Sequence, residues 1–206
     1  MRIIFFATIV FLTTVLRAQI NAGDPKNKDF RLFEGGLVAG ANFSQVDGDN
    51  YAGFNKIGLN AGPIVHINLN PTWSIILELL YSQKGARSKP DPTIVNTYKL
   101  VMDYAEVPVL INYNDKNRLL FQAGFVYGRL VNTQEEINGI NNNNEGAIYA
   151  DELSYILGGT FLVGEMKHFG VNFRYQGSIT SVGVSANPQV VGLVNRLISL
   201  RGIYYF

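Results

Sequence analysis

The stretch DYAEVPVLINYN, residues 103–114, decides the fold because its two faces need different surroundings. Alternate residues of a β-strand point to opposite faces. One face is apolar and consists of Ala105, Val107, Val109, Ile111 and Tyr113. The other face carries Tyr104, Glu106, Pro108, Leu110 and Asn112. In a soluble sheet the apolar face would be buried, but Pro108 cannot donate to a strand ladder and belongs at an edge or a bulge.

The N-terminal residues predict export. Residues 1–19, MRIIFFATIVFLTTVLRAQ, place the basic Arg2 before an apolar run from Ile3 to Leu16 and the small residue Ala18. This pattern is typical of a secretory signal, and the run is too short for a membrane-spanning helix. We predict a signal peptide at 1–18, cleaved after Ala18, and a polar periplasmic tail at 19–30.

The composition argues against several classes of function. The chain has 17 Lys and Arg against 16 Asp and Glu, and two of the arginines, Arg2 and Arg17, lie in the predicted signal peptide. The mature chain is therefore nearly neutral, which gives no basis for nucleic-acid binding. The chain has no Cys, so we expect no lipoprotein anchor, no disulfide framework and no thiolate metal site.

Alternating runs and turns recur along the rest of the chain. The eight runs are residues 31–45, 56–69, 72–86, 97–114, 118–131, 148–164, 169–180 and 194–206. Short turns at 70–72, 115–117 and 165–168 alternate with long polar loops at 47–55, 87–96, 133–146 and 181–193. Short turns at one end and long loops at the other are typical of outer-membrane barrels. We predict an all-β fold over residues 31–206, an eight-stranded antiparallel up-and-down transmembrane β-barrel.

The apolar faces distinguish this barrel from a soluble one. A lipocalin-like barrel also has eight strands and a signal peptide, but its outer face should be polar. Here one face of nearly every predicted strand is apolar. A closed barrel leaves no backbone group unpaired in hydrocarbon, so the apolar face contacts lipid and the polar face lines the lumen. Glu106 and Asn112 then point inward, Val107 and Tyr113 point at lipid, and the predicted location is the outer membrane of a Gram-negative bacterium.

Aromatic residues predict the two membrane interfaces, where amphipathic rings are enriched. Five of them lie beside the short turns or at the C terminus, namely Trp73, Tyr113, Phe169, Tyr204 and Phe206. Tyr81, Tyr127 and Tyr155 would lie near the other interface. The alternative interpretation is that aromatic residues simply favour strands.

Six inward polar residues predict a network inside the lumen: Asn60, Glu78, Glu106, Gln122, Arg174 and Arg201. The four charged residues lie at similar heights above the predicted periplasmic end, and the arginine fork matches a carboxylate. Side chains can just fill the interior of eight strands, so we predict a polar plug that makes the barrel rigid. One alternative is a narrow pore for ions or small solutes, gated by lumen ion pairs. Another is acid–base chemistry on sugars by the paired carboxylates.

Other residues that carry chemistry are few. The two histidines, His66 on an inward face and His168 in a turn, fit no catalytic triad and no metal cluster. DGDN at 47–50 and INGINNNNEG at 137–146 resemble parts of a calcium loop, but the glutamate spacing of an EF-hand is absent. We therefore expect no enzyme activity, no cofactor and no metal, and any further recognition to lie in the loops.

Four segments carry a resemblance to a known family: GLVAGANFSQVDGD at 36–49, ELLYSQKGA at 78–86, DYAEVPVLINY at 103–113 and the final YYF. They resemble the small outer-membrane β-barrels of Bacteroidota often labelled PorT-like, over essentially the whole mature chain. The resemblance implies a structural or accessory role in an envelope complex, with an association to secretion. Phe206 resembles the terminal aromatic residue that the barrel-assembly machinery recognises. No added peptidoglycan-binding domain is apparent, which argues against tethering of the OmpA kind.

Overall fold

The computed structural model describes residues 31–48, 53–89, 97–115, 118–142, 148–164, 168–184 and 192–206. The predicted signal peptide and tail lie outside the described residues, as do parts of both calcium-like loop motifs. Among the described residues, no helix is long and apolar enough to cross a membrane.

Within these ranges the chain forms ten antiparallel strands. They are β1 (Phe33–Asp47), β2 (Lys56–Asn68), β3 (Trp73–Glu78), β4 (Leu80–Arg87), β5 (Tyr98–Asn114), β6 (Leu119–Ile137), β7 (Ile140–Asn142), β8 (Asp151–Val163), β9 (Phe169–Ser178) and β10 (Val194–Tyr205). The first strand pairs with the last, from Gly36 opposite Tyr205 to Asp47 opposite Val194, so the sheet closes on itself. β3 and β4 are two parts of one barrel strand, and β7 pairs only with the end of β6 among the described residues. The ring therefore has eight strands, which confirms the predicted barrel.

The predicted single strand at 72–86 is interrupted at Leu79. Prolines lie on both neighbouring strands at this position. Leu79 N–H donates to the Pro63 carbonyl of β2 at 3.2 Å. On the other side, Pro108 of β5 lies between Glu106, which pairs with Leu80, and Val109, which pairs with Leu77. Because proline has no N–H, each one removes a donor from the ladder. The irregularity at Leu79 is thus the place where the barrel accommodates Pro108.

The predicted loop at 133–146 begins as strand. β6 continues to Ile137, still paired with Tyr98 of β5. Asn138 and Gly139 follow with φ of 55° and 76°, the left-handed conformation that a two-residue hairpin turn requires. The pairing of β6 with β8 stops at Arg129. Beyond that level, β6 continues together with β7 and the paired part of β5 as an extension toward the long loops.

Burial follows the predicted alternation along residues 104–113. Leu110 and Asn112 are 1% and 2% exposed inside the barrel, whereas Val109 and Ile111 are 50% and 61% exposed outside it. The apolar face therefore forms the outer wall.

Inside the barrel, buried apolar residues form two clusters. The first contains Val38, Ile64, Ile76, Leu80, Leu110, Leu120, Val126, Ile156, Leu162, Ile203 and Tyr205. The second lies toward the long loops and contains Val46, Ala86, Leu100, Met102, Tyr104, Val182 and Leu193. Along β5 the buried residues run from Tyr104 of the second cluster through Glu106 to Leu110 of the first. Charged side chains thus lie between apolar ones.

The apolar side chains of the outer wall predict that a charge placed there destabilises the barrel, by an amount that depends on its depth in the membrane. We expect Val109→Arg to lower the free energy of unfolding by roughly 2–4 kcal/mol, because position 109 faces the middle of the hydrocarbon layer. Val131→Arg, at an exposed position beyond the Tyr127 level, is the control and should cost about 0–1 kcal/mol. Reversible denaturant unfolding in lipid vesicles measures both values, and equal costs would contradict the assigned membrane belt.

Candidate functional site

Glu78 is the centre of a buried arginine network. Its carboxylate accepts two hydrogen bonds from Arg174, at 2.9 and 2.5 Å, and one from Arg201 at 3.1 Å. All three side chains are at most 3% exposed. The two-pronged contact of Arg174 is the strongest geometry that arginine and a carboxylate form.

Side-chain amides bind further donors of the two arginines. Arg174 donates to Gln122 Oε1 at 2.9 and 3.2 Å. Arg201 donates to Asn172 Oδ1 at 2.7 and 3.0 Å and to Asn60 Oδ1 at 3.3 Å. A buried ion pair is tolerated when its remaining hydrogen-bonding groups are satisfied in this way.

Lys84 holds a second network, nearer the long loops. Its ammonium lies 2.7 Å from Glu106 Oε1 and 2.9 Å from Glu152 Oε2. It also lies 4.7 Å from the centre of the Tyr104 ring, a cation–π contact that is strong where water is excluded. Gln176 donates to Glu106 at 2.8 Å.

Hydroxyl and amide groups complete the surroundings of Glu152. Ser154 and Ser178 donate to its Oε1, and Asn195 donates to its Oε2 at 3.0 Å. The two networks together contain three carboxylates and three cations, so their formal charges cancel. Charge balance of this kind allows ionised groups to stay inside a narrow lumen.

The six predicted lumen residues all lie inside the barrel, but they do not form one network. Five of them, namely Asn60, Glu78, Gln122, Arg174 and Arg201, make up most of the arginine network. Glu106 differs from the prediction, because its cation is Lys84. Counting residues from the strand ends gives height along a strand, but strand tilt and stagger decide which side chains meet.

Sequence reasoning missed Glu152, Asn172 and Gln176 as members of these networks. Each occupies an inward position of β8 or β9 and is at most 5% exposed. Their place in the alternation was the available signal. Their partners depend on the pairing register, which the alternation does not provide.

The aromatic residues predicted at the short-turn interface form two outer groups. Trp73 and Tyr113 lie on paired strands with ring centres 5.0 Å apart. The ring of Tyr204 lies 5.0 Å from that of Phe169 and 5.8 Å from that of Phe206. At the opposite end Tyr81 and Tyr127 are exposed, while Tyr155 lies near Tyr175 with ring centres 6.1 Å apart.

The two histidines lie near the short-turn end and both contact Tyr205. The buried ring of His66 meets the Tyr205 ring edge-on at 5.2 Å, and Nδ1 of His168 lies 3.1 Å from the Tyr205 carbonyl oxygen. Across the described ranges, no group of three or more His, Cys, Asp or Glu is arranged to hold a metal ion.

A family model described as outer membrane protein beta-barrel domain matches residues 12–183. The chain belongs to this family. Its location is therefore the outer membrane of a Gram-negative bacterium, where lipid surrounds the apolar wall. None of the curated protein sequences matches the chain.

Three solved structures are similar to this barrel. Ail, the attachment invasion locus protein of Yersinia pestis, is 15% identical, with 84% of this chain and 98% of that chain covered and a TM-score of 0.51. Neisserial surface protein A is 11% identical, with coverages of 84% and 97% and a TM-score of 0.48. CarO of Acinetobacter baumannii is 12% identical, with coverages of 82% and 97% and a TM-score of 0.46. At these identities the likeness to Ail shows the fold alone, and the PorT-like assignment stays a prediction.

Removal of the central carboxylate should be far more damaging than removal of an exposed one. Glu78→Gln leaves two buried guanidinium groups without a counter-charge, and we expect a loss of roughly 3–5 kcal/mol in the free energy of unfolding. Glu136→Gln is the matched control, because Glu136 pairs with Lys99 at the surface, and should cost less than about 1 kcal/mol. Denaturant unfolding in vesicles compares them. Similar losses would mean that the arginine network does not stabilise the barrel.

Proposed function

We propose that the protein is a non-enzymatic barrel with a plugged lumen that serves as a structural or accessory subunit of an envelope complex. The observation that carries this proposal is the burial of the charges inside the barrel: Lys84 is 0% exposed and Glu106 is 1% exposed. Charged groups that bind one another leave no open path along which a solute or a substrate would pass. The PorT-like resemblance adds the association with secretion.

The apolar clusters support the same conclusion. Met102 and Tyr104 lie on the long-loop side of the lysine network, and Leu110 and Ile203 lie on the short-turn side of the arginine network. A porin lumen is polar and water-filled, whereas here a charged layer is bounded by apolar side chains at both ends. We therefore place the function on the outside of the barrel and at its two ends.

The strand extension beyond the barrel is the surface that we assign to a partner. Above Arg129, β6 rises past β8 and presents Val131, and β7 presents Ile140; these side chains are 66% and 69% exposed. An exposed strand edge with apolar side chains is suited to pairing with a strand of another protein. The outer wall and the short turns are the other surfaces through which envelope proteins would make contact.

The plugged lumen predicts an electrically silent barrel. In planar bilayers we expect the wild type to give no channel steps. Heat-modifiable mobility of the reconstituted wild type on gels shows that the silent protein is folded. Conductance of the wild type that changes in Glu106→Gln would contradict the plug and favour the narrow, gated pore.

An accessory role predicts a stoichiometric partner. We expect the tagged full-length protein, extracted from native outer membrane in mild detergent, to co-purify with an envelope protein identified by mass spectrometry. Val131→Arg/Ile140→Arg should lose that partner while the barrel stays folded, and Lys99→Gln, on the same extension, should retain it. A barrel that purifies alone under every mild extraction would contradict the accessory role.

A further inference from the structure

A cavity of about 590 Å³ opens at the short-turn end of the barrel, on the periplasmic side. Much of its wall consists of side-chain amides and hydroxyls, from Asn68, Asn70, Thr72, Ser74, Asn112 and Asn114. Pockets that hold small molecules have volumes of about 300–1,000 Å³, so this cavity has room for a small molecule. It is separate from the two ion-pair networks.

Three residues of the cavity wall each carry a buried polar atom that has no hydrogen-bond partner among the described protein atoms. These atoms are His66 Nε2, Asn112 Oδ1 and the Tyr205 hydroxyl. Their residues are 4%, 2% and 2% exposed. The large majority of buried polar atoms are hydrogen-bonded, and three such atoms at one cavity indicate a site that is built to bind a polar group.

The orientation of Asn112 specifies one need of the ligand. Asn112 Nδ2 donates to Ser74 Oγ at 2.9 Å, so its Oδ1 remains as an acceptor and requires a donor. The Tyr205 hydroxyl and the His66 imidazole either donate or accept. Hydroxyl groups both donate and accept, so a ligand with several hydroxyls matches these needs.

The balance of charge on the cavity wall favours a neutral ligand. Arg31 and Glu34 both line it, and their formal charges cancel. The Arg31 guanidinium donates to the Phe206 carbonyl oxygen at 3.3 Å. The wall also includes the apolar side chains of Leu120 and Leu162. A neutral ligand with several hydroxyls and apolar C–H faces fits these surroundings.

We propose that this cavity binds an uncharged carbohydrate of one or two sugar units that enters from the periplasm. The sugar hydroxyls bind Asn112, Tyr205 and His66, and its C–H faces pack against the apolar part of the wall. This proposal is independent of the accessory role, because it uses neither the ion-pair networks nor the strand extension.

Isothermal titration calorimetry tests the site directly and needs no reporter group, which matters because the ring of Trp73, the single tryptophan, lies on the outer wall against Tyr113. Full-length protein in a sugar-free detergent is titrated with N,N′-diacetylchitobiose while the heat of binding is recorded. We expect a saturable change. Tyr205→Phe should weaken binding roughly fivefold, as the loss of one hydrogen bond predicts.

Tyr104→Phe is the matched control. It also removes a buried hydroxyl without a partner, but one that belongs to the apolar cluster toward the long loops, so the affinity should stay unchanged. Retention of heat-modifiable mobility on gels shows that both variants are folded. Equal affinities of the two variants would overturn the assignment of the sugar to this cavity.

Two further results bear on the ligand class and its source. No saturable change with diacetylchitobiose, maltose or cellobiose would overturn the carbohydrate assignment, as would preferential binding of the dipeptide glycylglycine. Where chitobiose binds, co-sedimentation with purified cell-wall sacculi separates the two sources of the same chemistry. Sedimentation that chitobiose reverses identifies cell-wall glycan as the ligand, and its absence identifies a free sugar.

Discussion

The ion pair between Arg174 and Glu78 is the interaction on which the arrangement of the lumen depends. It joins β9 to β3 across the interior, between residues 96 positions apart in the chain. Two buried charges lose their hydration on folding, and their attraction compensates only where every remaining donor and acceptor finds a partner. Here Arg201 donates to the Glu78 carboxylate, and the Gln122 side-chain oxygen accepts from Arg174. The strands that carry these side chains are thereby fixed relative to one another.

The lipid-facing wall and the filled lumen follow from the same alternation of residues. In residues 104–113, each outward side chain that contacts lipid is followed by an inward one that enters the lumen, so neither surface changes without the other. A small eight-stranded ring places its inward side chains within reach of one another. Charges that face inward must then pair, and paired charges fill the space that a pore needs. The surfaces left for function are the outer wall, the strand extension and the periplasmic cavity.

The fold was predictable from sequence because alternation and turn length are local properties. The interruption at Leu79 was signalled by Pro108, but its position also depends on Pro63 in the neighbouring strand, which only the pairing register reveals. The hairpin after β6 was readable from Asn138 and Gly139, a two-residue turn signal within a segment interpreted as loop because of its polarity.

The candidate site was less predictable, since partners across the lumen depend on stagger. Alternation alone placed Glu106 inside, and its height suggested an arginine partner. The register instead brings Lys84 to it, from the strand that pairs with β5. The cavity could not be predicted either, because it is assembled from the ends of several strands and the first short turn.

The most direct test of the closed lumen uses the absence of cysteine from the natural sequence. Ser82→Cys places a thiol in the fully buried middle of the lumen, and Asn70→Cys places one at an exposed position on the wall of the periplasmic cavity. A small, charged, water-soluble thiol reagent is applied to each folded variant and again after unfolding. We predict that folded Asn70→Cys reacts readily and that Ser82→Cys reacts only after unfolding. Comparable rates for the two folded variants would show that water passes through the lumen and would contradict the plug.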